Sequence, residues 1–116
     1  WPLMGNTYFP NDNNIRDLFK LSAFSDPSLV QFMHRNLAYL ITIYYVFIFF
    51  KIYKNKIKNL YRIVNILGFL LILQIILGIF TVKYGAQIYI AAMHQLSSIF
   101  LVSYSVYFFY KNTKIN

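Results

Sequence analysis

The sequence predicts an all-α integral membrane fold with three transmembrane helices, and three observations carry that prediction. Hydrophobic residues make up 59% of the 116 positions and charged ones only 12%, about half the roughly 25% usual in a soluble domain. The chain also contains long uncharged runs: residues 36–50, 63–82 and 84–110 have no Asp, Glu, Lys or Arg. About 20 such residues in a helix cross the roughly 30 Å hydrocarbon core. Finally, every backbone polar group in lipid must be bonded internally, so runs of this kind are helices and not open strands. The length allows one small bundle and no second domain.

Residues 1–27 read as an outward-facing loop segment. They hold Pro2, Pro10 and Pro27 and all three acidic residues, Asp12, Asp17 and Asp26. IRDLFKL, residues 15–21, is a candidate short helix at the interface. Asp26-Pro27-Ser28 has the chemistry of a helix start, with proline in the first turn. Residues 28–116 form the transmembrane region. Its first span covers about 28–50, and the basic loop KIYKNKIKNLYR follows at 51–62. The second span, 63–82, ends at VKYGAQ, where Gly85 is the expected helix breaker. The third covers about 86–110 and leads into a tail with Lys111 and Lys114. The chain opens on Trp1 and not on methionine, which reads as a fragment or a processed product.

Charge sets the expected orientation. The net charge is +8, but the lysines flank apolar runs, so membrane topology explains them and nucleic acid is not an expected partner. Lys51, Lys54, Lys56, Lys58 and Arg62 lie between the first two spans, and the tail lies on the same side. Positive-inside bias places both in the cytoplasm or mitochondrial matrix, with the N-terminal segment outside. Tyr53, Tyr61, Tyr107 and Tyr110 stand where an inner aromatic belt would lie, and Tyr84 and Tyr89 where an outer one would. There is no cysteine, which excludes disulfides and thiolate metal sites.

The chain has two histidines, His34 and His94, one in the first span and one in the third. Each precedes the first inner lysine of its span, Lys51 or Lys111, by seventeen residues, about 25 Å of helix. Two imidazoles at one depth on parallel helices can ligate a metal from opposite sides. No closed four-ligand zinc site is available from these residue types, whereas haem iron needs only two axial ligands from protein. Ala91, Ser97 and Ser98 beside His94, and Ala38 beside His34, are small neighbours that leave room for a macrocycle. The alternative is that each histidine is an interhelical hydrogen-bonding residue.

Arg35, beside His34, is a candidate partner for a haem propionate, with Lys83 as a second. Snorkelling of Arg35 to lipid headgroups is the alternative. Gln74 and Gln95 could bond between helices or orient a histidine through its Nδ1–H. Gly68 and Gly78 read as close-packing positions.

Taken together, WPLM, SLVQFMHRNLAYL, LILQIILGIFTVKYGAQI and AAMHQLSSIFL resemble the haem A synthase family of cytochrome oxidase assembly proteins, in its alphaproteobacterial and mitochondrial branch. The resemblance covers nearly the whole chain. It implies eight transmembrane helices in two four-helix halves, of which this chain carries three, most of one half of the two-times-four-helix bundle. It also implies oxidation of a methyl group of haem O to a formyl group for cytochrome c oxidase. The C-terminal half of such a protein holds haem b, and His34 and His94 fall on that iron's ligand positions. The family's catalytic glutamate has no counterpart, since no glutamate occurs here, and no catalytic residue is assigned. The resemblance leaves helices to be supplied by the N-terminal portion or by another copy of the chain. Two other readings remain at this point: a b-type cytochrome subunit that only transfers electrons, and a cofactor-free structural or assembly protein.

Overall fold

The computed structural model describes residues 3, 4 and 6–115, with 114 and 115 described as backbone alone. Trp1 and Pro2 of the WPLM stretch and the Lys114 side chain therefore lie outside the description. Two short 3₁₀ turns, Ile15–Phe19 and Leu21–Phe24, precede three long helices: α1 (Pro27–Lys54), α2 (Lys58–Lys83) and α3 (Ile88–Ile115). No strand occurs among the described residues. The chain divides into two compact units, one ending at Ile41 and the other beginning at Thr42.

In the first unit the N-terminal segment is a strap tied to the start of α1. Asn14 and Asp17 cap the first 3₁₀ turn reciprocally, the Asn14 amide N–H donating to Asp17 at 2.9 Å. The one helix expected over 15–21 is thus two turns, broken at Lys20, whose extended backbone donates to the Asp17 carbonyl. Lys20 also pairs with the Asp17 carboxylate at 2.7 Å. Asp26 caps α1 as expected, accepting from the Leu29 N–H at 3.0 Å, which satisfies one of the orphan donors of the first turn. Ser28 donates to Asp12 at 2.8 Å. Phe32 packs edge-on against Tyr8 and Phe9, with centroids 5.6 and 5.1 Å away. Ala23 and Leu29 are fully enclosed.

The second unit holds the rest of α1 with α2 and α3. Along α2, positions 60, 64, 67, 71, 74 and 78 recur at alternating steps of four and three, the seam of left-handed helix packing. Leu60, Val64, Leu67 and Leu71 on that seam are buried. Ile52, Tyr45 and Phe49 of α1 and Leu101, Tyr104 and Phe108 of α3 pack on the same cluster. Gly68 makes the α1–α2 approach possible. A methyl group there would collide with the Tyr45 hydroxyl, which donates to the Val64 carbonyl at 3.0 Å.

The first helix connection is shorter than expected. The basic loop over 51–62 shrinks to Asn55–Ile57, because its lysines and Arg62 extend α1 and α2 by a turn each. Lys56 takes the left-handed conformation at φ +52. The Ile57 N–H bonds the Ile52 carbonyl at 3.1 Å and the Lys56 N–H bonds that of Tyr53 at 3.2 Å. That pair of bonds is a Schellman ending. α2 ends in the same way, with Gly85 at φ +65 and Ala86 N–H bonded to the Thr81 carbonyl at 2.7 Å.

α1 and α2 are long and apolar enough to cross a membrane. Their outer faces stay apolar: Ile43, Phe47 and Phe50 on α1 and Phe69, Ile72 and Phe80 on α2 are exposed. A helix that is hydrophobic all round suits a protein core or a membrane span. The third expected span forms a helix of 28 residues but does not reach the same apolar standard. His94, Gln95 and its serines and tyrosines dilute it, although Ile99, Phe100, Val102 and Phe109 remain outward.

Candidate functional site: the seat of His94

His94 stands in the second turn of α3, and α2 builds a seat for it. Gln74 and Gly78 lie one turn apart on the same face of α2. A Cβ at Gly78 would sit 3.1 Å from His94 Cε1, so the imidazole occupies space that any other residue would fill. Gln74 Nε2 donates to the His94 carbonyl at 3.1 Å and lies 3.4 Å from His94 Nε2. Ser97, buried one turn further along α3, donates to Gln74 Oε1 and also lies 3.0 Å from the His94 carbonyl.

This small network fixes which way the Gln74 amide faces. A carbonyl oxygen only accepts, so the edge of Gln74 facing the His94 carbonyl must be its NH₂ group. The Oε1 edge then faces the Ser97 hydroxyl, which donates. The NH₂ group also lies 3.4 Å from His94 Nε2, a contact whose direction follows the ring's tautomer. Of the two roles open to Gln74, the structure shows the bond between helices, from α2 to the His94 carbonyl and Ser97 of α3, and its contact with the ring is at Nε2 and not Nδ1. Gln95 is exposed and takes no part in the seat.

His34 lies in the first unit, in the second turn of α1, with an exposed side chain. Its neighbour Arg35 is committed to the strap. Arg35 Nη2 donates to the Tyr8 carbonyl at 2.9 Å, and its guanidinium lies 4.8 Å from the centre of the Tyr8 ring. Tyr8 in turn donates to Asn36 at 2.6 Å. Tyr8 and Asn36 are partners that the sequence reading missed, since nothing in the spacing links positions 27 or 28 residues apart. Lys83 is the last residue of α2 and is exposed. Among the described residues no three His, Cys, Asp or Glu side chains cluster as a metal-ligand set. A metal at His94 would therefore need a carrier that brings most of its own donors.

Comparison with known proteins places this geometry in context. The family described as "Cytochrome oxidase assembly protein" matches residues 1–106. A heme A synthase from Pelagibacter ubique is 35% identical over 113 residues, 97% of this chain and 33% of that protein. One from Rickettsia prowazekii is 35% identical over 97% of this chain and 34% of its own length. One from Roseobacter denitrificans is 35% identical over 82% of this chain and 25% of its own length. The chain thus spans about a third or less of these curated relatives. No solved structure matches it.

Proposed function

Starting from the fact that the chain belongs to the cytochrome oxidase assembly protein family, we propose that it is the haem-b-binding C-terminal part of a haem A synthase. Its relatives carry that name. In this reading the whole enzyme converts a methyl group of haem O into the formyl group of haem A for cytochrome c oxidase. The present chain supplies two iron ligands, His34 and His94, and no catalytic residue. The observation that carries the reading is the seat of His94: an imidazole packed on Gly78, with Gln74 3.4 Å from its Nε2 and bonded in turn to Ser97. On loading, Nε2 gives up the 3.4 Å contact with Gln74. Gln74 keeps its bonds to the His94 carbonyl and to Ser97, which hold this turn of α3 against α2. His34 is the second imidazole ligand in this proposal. Bound iron porphyrin would supply a one-electron relay whose potential the two imidazoles tune.

The chain sits in the bacterial plasma membrane or mitochondrial inner membrane, with the strap outside and the α1–α2 turn and C-terminus in the cytoplasm or matrix. The remaining helices of the half come from the rest of a longer protein or from a second copy. Arg35 holds a propionate in addition to the strap.

Absorbance of protein purified from haem-replete cells tests the reading. A sharp reduced α band is expected, and His34→Ala or His94→Ala should each abolish it. A preparation without haem would favour the structural reading, in which Gln74 and Ser97 bond His94 merely to join two helices. Arg35→Gln should lower haem content or shift the midpoint potential; unchanged values for both would remove the propionate role.

A further inference from the structure

We infer that the groove between α2 and α3 at the α1–α2-turn end binds the phosphodiester of an anionic phospholipid. The groove holds about 310 Å³ and is lined by Arg62, Ile63 and Ile66 of α2 and by Tyr104 and Tyr107 of α3. Its composition suits a lipid at the level where headgroup meets chain. One guanidinium and two phenols offer donors to phosphate oxygens, a planar bidentate match in the case of Arg62. Ile63 and Ile66 offer apolar contact for the first carbons of an acyl chain.

The charge distribution gives the second argument. Residues 42–116 contain Lys51, Lys54, Lys56, Lys58, Arg62, Lys83, Lys111 and Lys114 and no Asp or Glu. The three acids of the chain all lie in the first unit, where Arg16, Lys20 and Arg35 balance them. The whole net charge of +8 therefore belongs to the second unit, and no carboxylate side chain there can neutralise it. Lys51, Lys54, Lys56, Lys58, Arg62 and Lys111 lie towards the end of the unit where the groove opens. An anion from outside the chain is the complement, and basic pockets between membrane helices are suited to lipid headgroups. The level is marked independently by tyrosines. Tyr53 stacks on Tyr61 with centroids 4.3 Å apart, and Tyr104 meets Tyr107 edge-on, as in the aromatic belt of a bilayer interface. Arg62 is the residue that distinguishes a site from diffuse attraction, because it alone among these cations lines this groove.

The inference rests on the helices crossing a bilayer and is independent of haem. Native mass spectrometry of the purified full chain, titrated in detergent with phosphatidylglycerol or phosphatidylcholine, tests it. Retention of phosphatidylglycerol over phosphatidylcholine is expected. Arg62→Gln should weaken it roughly tenfold, whereas Lys111→Gln, equal in charge but outside the groove, should change it by no more than about twofold. Tyr104→Phe with Tyr107→Phe removes only two hydroxyls and should also weaken retention; it decides the matter should Arg62→Gln lose helical circular dichroism. Equal losses for Arg62→Gln and Lys111→Gln, or no preference between the lipids, would overturn the site. Complete displacement by inorganic phosphate would also overturn it, by showing a free-anion site in place of a lipid one.

Discussion

At the scale of single residues, glycine decides where the two most specific side chains of the second unit lie. Gly68 admits Tyr45 and Gly78 admits His94. Gly78→Ala separates stability from site geometry. The methyl gains about 1 kcal/mol of helix propensity and costs about 1–3 kcal/mol in crowding, so stability should fall by no more than about 2 kcal/mol. The His94 ring must nevertheless shift by a few tenths of an ångström, since the added carbon would lie 3.1 Å from Cε1. Reduced haem absorbance and the imidazole ¹⁵N shifts should both change, and unaltered ¹⁵N shifts would show that the seat is not tight. That Gly78 allows close packing was readable from its place in an apolar run. That it packs against a histidine was not, because the partner lies sixteen residues away across a turn whose register no local pattern reveals.

At the scale of elements, caps and turns carry the predictions. Lys56 adopts a left-handed backbone at the end of α1, a conformation costing a residue with a Cβ about 1–2 kcal/mol. Lys56→Gly removes that strain and adds about 0.5–1 kcal/mol of lost backbone entropy. A net stabilisation of about 0.5–1 kcal/mol is expected in thermal unfolding. The strap responds to acid. Asp12 is held below the carboxyl's ordinary 3.8, first by the Ser28 hydroxyl, and Asp17 likewise, first by its hydrogen bond with Lys20. A depressed pKa stabilises the folded form fully above 3.8, and that contribution disappears as pH falls from there through the lower folded value. ¹³C-carboxyl titration should show Asp12 rising towards 3.8 in Ser28→Ala, with Asp17 unmoved; equal titration of Asp12 in both proteins would mean that the hydroxyl bond does not hold in solution. Asp26-Pro27-Ser28 was legible as a helix start because capping is local chemistry. The extra turns on α1 and α2 were not, since lysine-rich helix ends and lysine-rich loops have the same composition.

At the scale of the whole molecule, the chain's lack of cysteine makes single cysteines clean probes of topology. With a membrane-impermeant maleimide, Asn11→Cys should label in intact cells, and Asn55→Cys and Thr113→Cys only after lysis. Labelling of Thr113→Cys in intact cells would show that α3, the least apolar helix, does not cross. Composition and period by themselves determined the helical class, the number of helices, the Gly85 ending and the segregation of charge, because these follow from hydrophobicity and backbone chemistry along a stretch of chain. The quoted motifs alone pointed to the family that the comparisons support. Tertiary structure alone decided which face of α2 meets α3, and with it the Gln74 contact at His94 Nε2 and the groove at Arg62; within the first unit it alone decided the grip of Arg35 on Tyr8. Each of these depends on atoms that lie far apart along the chain and near in space, and packing, which sets that proximity, is not a local property of any stretch.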